Sequence, residues 1–247
     1  MNMKKLVLLS FRIKFLIAAF FVGLLCVHYL LCQALFQRTA SLGAVRTELQ
    51  KGANVNARTK SVYDELNGLT PLIQAATWGD LDRVKLLLEY KADVNLRAKN
   101  KRGDTALHMA IRNSPYGDFN KVLQIIQLLL DNKANVNAKN NYGDTPLHAT
   151  LDAYQEDIQD RVQKIVRLII ERGAEINAQN DNGNTHLHLA VFRGYGTWIE
   201  WFLKKYGTRI NLDLVNKKHY TIESLANRLG NTDVIEAIKK GLPYTKK

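Results

Sequence analysis

Five threonines recur at nearly constant intervals along this chain of 247 residues. They are separated by 35, 40, 40 and 36 residues, and they are Thr70, Thr105, Thr145, Thr185 and Thr221. Each threonine follows a turn, which contains glycine in the first four copies, and precedes a short helical segment, a connection and a second, aliphatic segment. Internal repeats with a period of roughly 20 to 50 residues are typical of stacked arrays of small units. The sequence therefore predicts such an array.

The residues around each threonine suit the start of a helix. Threonine is a good N-cap, and proline suits the first helical position, where its missing N–H group loses nothing. The preceding glycine supplies backbone angles that other residues adopt only with strain. Because two short helices cannot bury their apolar faces alone, we expect neighbouring units to cover the leucines Leu72, Leu107, Leu147 and Leu187. The motif residues are Thr70, Pro71, Thr105, His108, Thr145, Pro146, His148, Thr185 and His188.

These strings resemble the ankyrin repeat. Residues 70–76 read TPLIQAA, residues 145–148 read TPLH, and four units close with strings such as ANVN at 53–56 and 134–137. The family pattern is similar, beginning with T-P-L-H-x-A-A and ending with G-A-D-V-N. The resemblance implies an all-α solenoid of helix-turn-helix repeats joined by short β-hairpins. It also implies that the histidine of each motif hydrogen-bonds the threonine at the start of its helix.

The predicted repeat domain spans residues 40–242. It consists of a degenerate first repeat at 40–58, repeats near 67–97, 102–139, 142–179 and 182–215, and a capping repeat at 218–242. The cap has Glu223 where leucine is expected and His219 in place of the turn glycine, and a polar residue suits a terminal unit with solvent on one side. Lys91 and Lys133 replace glycine after the second helix, at a left-handed position that costs a lysine roughly 1 kcal/mol. We expect those junctions to bend or fray.

Three connections are longer than the family pattern. Residues 113–118 and 154–160 lie between the paired helices of the second and third full repeats, and residues 60–66 lengthen the hairpin before the first. The connection at 154–160 is acidic in an otherwise basic protein. Insertions in repeat arrays cluster on one edge and often contact a specific partner. The inserted loops are therefore candidate partner contacts, and the sequence does not assign their role.

The N-terminal region differs from the repeats. Residues 1–14 are basic, and residues 15–36 read FLIAAFFVGLLCVHYLLCQALF, which is long enough to cross a hydrocarbon core of roughly 30 Å. The basic flank predicts a cytoplasmic amino terminus and a single-pass signal-anchor in a membrane. The alternative is a signal peptide cleaved near residues 32–34, which would release a secreted or periplasmic protein. The apolar run exceeds the roughly 7 to 15 residues of a signal-peptide core, which favours the anchor.

The sequence contains no motif typical of an enzyme. It lacks a phosphate-binding P-loop, a dinucleotide fingerprint, an H-E-x-x-H zinc motif and a G-x-S-x-G nucleophile motif. Its two cysteines, Cys26 and Cys32, both lie in the apolar segment, so residues from 39 onward form neither a disulfide nor a cysteine zinc site. His108, His148 and His188 occupy the same place in successive repeats, and hydrogen bonding at the helix start accounts for them. We therefore expect a non-enzymatic protein without a metal or a cofactor.

The charge of the chain favours an acidic partner. The net charge is +12, and from residue 39 onward 30 Lys and Arg face 23 Asp and Glu. Basic residues gather at the predicted hairpins, which in ankyrin arrays line one side of a concave surface. Ordinary solvation of turn tips is the alternative. The candidate partner-binding residues are Arg58, Lys60, Arg97, Lys99, Lys101, Arg102, Lys139, Lys217 and Lys218.

The sequence thus predicts a monomeric protein-interaction module that binds a protein partner, which the charge suggests is acidic. An anionic membrane surface is a second partner class, whereas nucleic acid is not expected because interleaved aromatic residues are not evident. A secreted effector and the regulatory subunit of an enzyme are alternative functions. Trp198 and Trp201 lie one helical turn apart and align with Ile165 and Leu168 of the preceding repeat, so we expect them in the core, with an exposed recognition pair as the alternative.

Overall fold

The computed structural model describes residues 35–60 and 67–241. The chain divides into two compact units, residues 1–57 and residues 58–247. Most of the predicted membrane segment at 15–36, and all but Lys60 of the insertion at 60–66, lie outside the described residues. None of the helices within 35–60 and 67–241 combines the length and apolar character that crossing a membrane requires. The membrane anchor stays a prediction from the sequence.

The described part of the first unit contains helix α1, Leu42–Gln50. Ser41 caps its start, because its side-chain hydroxyl accepts a hydrogen bond of 3.2 Å from a backbone N–H in the first turn. Val45 and Leu49 are buried. The helix is followed by Gly52, whose φ of 90° is left-handed. A helix, this glycine and the string ANVN follow in the order that the sequence predicts for the second half of a repeat.

Within residues 67–241 the helices come in five pairs. In each pair an inner helix follows the repeat threonine, and an outer helix comes after a connection. The inner helices are α2 (Pro71–Trp78), α4 (Ala106–Arg112), α6 (Pro146–Ala149), α8 (His186–Phe192) and α10 (Ile222–Leu229). The outer helices are α3 (Leu81–Glu89), α5 (Phe119–Asp131), α7 (Gln159–Glu171), α9 (Gly196–Tyr206) and α11 (Thr232–Gly241). One-turn 3-10 helices precede α7 at Glu156–Ile158 and follow α9 at Gly207–Arg209.

Packing between successive pairs forms the core. Each inner helix packs against the inner helix of the next pair, and in the outer layer α3 packs on α5, α5 on α7 and α9 on α11. The four motif leucines are all exposed by 3% or less, and they are Leu72, Leu107, Leu147 and Leu187. The prediction of an all-α stack of helix-turn-helix units is confirmed. Because two short helices bury little apolar surface by themselves, this burial depends on the neighbouring pairs.

The hairpins between pairs are joined by backbone hydrogen bonds. Within one hairpin the N–H of Asn140 donates to the carbonyl oxygen of Asp144 at 3.0 Å, and the N–H of Asn141 donates to the carbonyl oxygen of Arg102 in the preceding hairpin at 2.8 Å. Equivalent bonds between hairpins run from Lys99 to Gly68, from Asp181 to Tyr142 and from Lys217 to Asn182. In the described residues these hairpins contain one isolated antiparallel bridge and otherwise turns, so the expected β-hairpins lack paired strands.

Close stacking explains the glycine at the hairpin tip. Gly143 has a φ of 73°, and a Cβ atom there would lie 2.5 Å from the backbone nitrogen of Asp181 in the next hairpin. At Gly183, with the same φ, a Cβ atom would lie 2.9 Å from the backbone nitrogen of Lys217. The position therefore needs glycine both for its left-handed backbone and for its missing side chain. In the last hairpin His219 adopts the same conformation, with a φ of 62°, and is exposed.

The two lysines that replace glycine after outer helices adopt the expected left-handed backbone. The φ angles of Lys91 and Lys133 are 62° and 67°. Each junction is closed by a bond from the following backbone N–H to a carbonyl oxygen of the helix at 2.9 Å, as in the repeat that has Gly173 at this position. The expectation that these junctions bend or fray was wrong, because the helix-ending hydrogen bonds form with either residue.

The connection at 113–118 supplies the residue that caps the start of α5. Ser114 is buried, and the carboxylate of Asp118 accepts hydrogen bonds from the backbone N–H groups of Asn120 and Lys121 at 3.0 and 3.4 Å. Asp118 is thus an N-cap. The loop tip is open to solvent, since Tyr116 is 79% exposed.

The connection at 154–160 is anchored to the fourth helix pair. Tyr154 is only 4% exposed, and its hydroxyl lies 2.9 Å from Oγ1 of Thr197. Its ring lies 4.5 Å from the ring of Tyr195 and 5.0 Å from that of Trp198, measured between centroids. The buried end of this insertion therefore joins two repeats, while residues 155–157 and Asp160 are exposed.

The two tryptophans of α9 differ in burial. Trp198 is completely buried, which confirms the core interpretation for that residue. Trp201 is half-buried, with its ring 4.9 Å from that of Trp198, and the guanidinium of Arg167 lies 6.0 Å from the centre of the Trp201 ring. The pair is thus continuous with the core and is not an exposed recognition pair.

Candidate protein-binding surface

Each motif histidine links its own helix start to the next hairpin. In His148, Nδ1 lies 2.9 Å from Oγ1 of Thr145 and accepts from the backbone N–H of Thr145 at 3.2 Å, while Nε2 lies 3.1 Å from the carbonyl oxygen of Asn184. An amide N–H only donates and a carbonyl only accepts, so the ring is neutral and carries its proton on Nε2. The structure contains the threonine–histidine bond that the resemblance implies, and a second bond to the following repeat.

The same arrangement occurs in the repeats on either side. Nε2 of His108 lies 3.0 Å from the carbonyl oxygen of Asp144, and Nε2 of His188 lies 2.9 Å from that of Tyr220. Burial lowers the pKa of His108 to about 4, against an opposing effect of Asp104, and burial also lowers the pKa of His148 and His188. The neutral imidazoles, with both ring nitrogens hydrogen-bonded, therefore stabilise the stacking of successive repeats. The described residues contain no group of side chains able to hold a metal ion.

Two sets of asparagines add further bonds between repeats. Nδ2 of Asn140 donates to the carboxylate of Asp104 at 2.8 Å in the preceding hairpin. Asn137 bonds in both directions, because Nδ2 donates to the carbonyl oxygen of Gly173 at 3.0 Å and Oδ1 accepts from the backbone N–H of Glu175 at 2.8 Å. Asn95, Asn177, Asn180 and Asn216 make corresponding bonds. This role was not predicted from the sequence, although the regular recurrence of these asparagines could have indicated it.

Three of the nine predicted partner-binding residues bind the hairpins themselves. Arg58 donates to the carbonyl oxygens of Gly68 and Arg97, both at 2.8 Å. Arg97 donates to the carbonyl oxygen of Gly103 at 3.1 Å and to the side chain of Asn141, and Lys139 donates to the carbonyl oxygen of Gln179 at 3.0 Å. These three side chains occupy the equivalent position in successive repeats. They donate hydrogen bonds to backbone carbonyl oxygens of the hairpins, so their contacts are internal.

The other predicted cations are exposed at hairpin ends. They are Lys60, Lys99, Lys101, Arg102, Lys217 and Lys218. The structure therefore separates the predicted row into an internal set and a solvent-facing set. Within the solvent-facing set, Arg102 makes specific contacts across the surface.

Arg102 belongs to an ion-pair cluster that spans three repeats. Asp152, which follows α6, contacts Arg102 at 3.3 Å and also pairs with Arg112 and Arg193, which lie at the ends of α4 and α8. Oδ2 of Asp104 lies 3.3 Å from Nε of Arg102 and 3.3 Å from Nε of Arg112. We call these five residues the arginine cluster. Arg112 is largely buried, and burial lowers its pKa to about 10, so it remains charged near neutral pH.

Two exposed aromatic residues lie next to members of the arginine cluster, Tyr142 in space and Phe192 in sequence. The guanidinium of Arg102 lies 5.9 Å from the ring centre of Tyr142, which is 38% exposed. Phe192, the neighbour of Arg193 in sequence, is 45% exposed. Of the residues on this surface, only Arg102 was predicted from the sequence. A register signal existed, because Arg112, Asp152 and Phe192 each lie seven residues after a repeat threonine.

Comparison with known families agrees with the geometry. A model of ankyrin repeats in three copies matches residues 15–123, and a model of ankyrin repeats in many copies matches residues 158–203, so together they cover more than half of the chain. The first match includes the apolar segment. The comparison with curated proteins returned no match. Ankyrin repeats are generally non-catalytic modules of protein–protein interaction.

Proposed function

Because the chain belongs to the ankyrin repeat family, we propose that it binds a protein partner through its hairpin ends and inner helices. The arginine cluster is the observation that supports this choice of surface. Arginine and aromatic residues are enriched at the energetically important centres of protein interfaces. Here exposed arginines and exposed aromatic residues lie on elements of three successive repeats. They do not belong to the buried core, so a partner can contact them.

The outer helices are less suited to the same role. Their exposed cations are interspersed with acids, as on α11, where Lys240 pairs with Glu236 at 2.8 Å. On α9, Lys204 pairs with Glu200 in the same way. Such exposed pairs within one helix turn contribute little and define no ligand. We therefore place the interface on the hairpin and inner-helix side.

Charge reversal tests this placement. The full chain is tagged, crosslinked in cells and extracted in mild detergent, and the captured proteins are compared between variants. The first variant carries Lys99→Glu, Lys101→Glu and Arg102→Glu. The matched control reverses three exposed lysines on outer helices, Lys85→Glu, Lys205→Glu and Lys239→Glu. The proposal expects loss of capture in the first variant alone, and equal capture by both would reject the surface.

The proposal extends to location. The apolar segment at 15–36 and the basic residues before it support a single-pass anchor with a cytoplasmic amino terminus. Cleavage near residues 32–34 and release as a secreted or periplasmic protein is the competing outcome. N-terminal sequencing of the protein from the membrane fraction and from the exported soluble fraction decides between them. An intact Met1 in the membrane fraction supports the anchor, and an exported protein that begins in the thirties supports cleavage.

A further inference from the structure

In the arginine cluster, Arg102 and Arg193 are more exposed than the two carboxylates. Side chains of Arg102 and Arg193 are 47% and 35% exposed, whereas those of Asp104 and Asp152 are 3% and 26% exposed. A partner that approaches this surface therefore meets guanidinium groups first. The acids lie between and beneath them, where they hold the arginine side chains in place.

This support leaves the arginines ready for a second acceptor. A guanidinium has five N–H donors, and Arg102 directs Nε toward Asp104 and Nη2 toward Asp152. The side chains of both Arg102 and Arg193 are accessible to a further acceptor, since they are 47% and 35% exposed. Guanidinium groups bind carboxylates through two parallel hydrogen bonds, and a side chain that is already fixed loses less entropy on binding.

Tyr142 adds an apolar contact beside Arg102, and Phe192 adds exposed apolar area on the helix whose C-cap is Arg193. The ring of Tyr142 lies against Arg102, and Phe192 adjoins Arg193. An apolar neighbour partly excludes water from a charge pair and strengthens it. The same rings offer area to an aliphatic or aromatic side chain of a ligand. The surface thus combines two features that a peptide with alternating acidic and apolar residues would match.

From this arrangement we infer that the arginine cluster is a recognition site for an acidic peptide segment of the partner protein, whose carboxylates bind Arg102 and Arg193 and whose apolar side chain packs on Tyr142 or Phe192. The inference rests on the proposed protein-binding function and specifies the chemistry of the partner. A uniformly anionic surface such as a membrane fits less well, because Asp152 stands between the two exposed arginines.

The test begins with the full chain in detergent micelles and a displayed library of random peptides about 12 residues long. Enriched peptides are synthesised with a fluorescent label, and their dissociation constants are measured by anisotropy. We expect enrichment of Asp and Glu together with apolar residues. For such a peptide, Arg193→Glu should raise the dissociation constant by about tenfold or more. The neutral variant Arg193→Gln should raise it by a smaller factor.

The control and the folding check use other residues. Lys205→Glu, an exposed charge reversal on α9, should leave the dissociation constant unchanged within about twofold. Circular dichroism melts establish that each variant is folded. Arg193 lies at the exposed end of α8, so its substitution leaves the buried core intact.

The outcomes separate this inference from the proposed function. Enriched peptides that lack acidic residues, or acidic peptides whose affinity is the same in Arg193→Glu, would overturn the acidic site while leaving protein binding in place. Failure to enrich any peptide would also overturn the acidic site, and the capture assay described above would then decide whether protein binding itself remains.

A parallel sedimentation assay addresses the membrane as the other source of negative charge. It uses vesicles of phosphatidylcholine and phosphatidylserine in about a 7:3 ratio. Vesicle binding that is lost in Arg193→Glu, without peptide binding, would identify a membrane contact and reject the inference. Peptide binding that depends on Arg193, with vesicle binding unchanged by the substitution, would support it.

Discussion

His148 donates a hydrogen bond from Nε2 to the carbonyl oxygen of Asn184, 3.1 Å away and 36 residues further along the chain. The bond joins the start of one inner helix to the hairpin of the next repeat. It requires a neutral imidazole, because Nδ1 must accept from the backbone N–H of Thr145. The stability of the stack therefore depends on proton concentration.

Acid should destabilise the repeats in a defined window. The pKa of His108 is about 4 in the folded chain and close to its ordinary value of 6.5 when unfolded. Protons bind the unfolded state first, so the stabilisation is complete above about pH 6.5 and is lost as the pH falls toward 4. For His108 the loss amounts to about 3 kcal/mol at most. Urea unfolding followed from pH 7 to 4.5 measures it.

The variant His108→Gln provides the matched comparison. Glutamine does not titrate, so the dependence of unfolding free energy on pH between 6 and 5 should become shallower by about 1 kcal/mol per pH unit. The variant will also be less stable at pH 7, since the contacts of His108 with Thr105 and Asp144 change. An unaltered slope would show that His108 does not titrate on unfolding.

Alanine should be tolerated differently at two left-handed glycines. Gly173 has a φ of 93° and open space where a methyl group would lie, whereas a Cβ atom at Gly143 would lie 2.5 Å from the backbone of Asp181. Gly173→Ala should cost about 1 kcal/mol of unfolding free energy from backbone strain alone. Gly143→Ala should cost at least about 1 kcal/mol more, because the next hairpin must move. Equal losses in chemical denaturation would argue against close stacking of the tips.

Asp152 should matter more to stability than an exposed acid in a simple pair. Asp152→Ala removes an acceptor from Arg112, whose side chain is 12% exposed, and should cost about 1 to 2 kcal/mol. Asp131 pairs with Arg172 at 2.9 Å on an open surface, so Asp131→Ala should change stability by less than about 0.5 kcal/mol. Thermal melts of both variants test the contrast, which fails if the two losses match.

Two tyrosines in inserted connections should respond in opposite ways. Tyr154 is 4% exposed against Tyr195 and Trp198, so Tyr154→Ala should cost about 3 kcal/mol. Tyr116 is 79% exposed, and Tyr116→Ala should be nearly neutral. Trp fluorescence on denaturation reports mainly the fourth helix pair, because Trp198 and Trp201, two of the three tryptophans, lie in α9. A neutral Tyr154→Ala would show that the connection does not support that pair.

The repeat threonines predicted where the inner helices start, because capping is a local property. Thr105 and Thr185 each accept a hydrogen bond from the third residue of the helix, as their position implies. The left-handed turns at Lys91 and Lys133 were predictable for the same reason. Local backbone chemistry and a five-fold period carry enough information for the fold class.

The shared register of Arg112 and Asp152 aligns the two residues in successive repeats, but it does not predict the ion pairs of the surface. Arg112, Asp152 and Arg193 come from different repeats, and the residue type at their positions changes from one repeat to the next. Periodicity therefore does not distinguish these side chains from ordinary solvated charges. The predicted set overlapped the arginine cluster only at Arg102.

The insertion at 154–160 shows the same limit. Its length and its acidic residues predicted a loop on one edge of the array. They did not reveal that Tyr154 folds inward, because that depends on the space beside Thr197 in the next repeat. Such a contact is set by the packing of two repeats and not by the residues of either one alone.

His219 has a consequence for elongation of the array. At the equivalent tips, Gly143 and Gly183, a side chain would strike the backbone of the hairpin that follows. A sixth hairpin added in the same geometry would meet the Cβ atom of residue 219 in that place. Engineering a longer array from this chain must therefore begin with His219→Gly. Without that substitution, the side chain of residue 219 would prevent a sixth hairpin from stacking on the fifth.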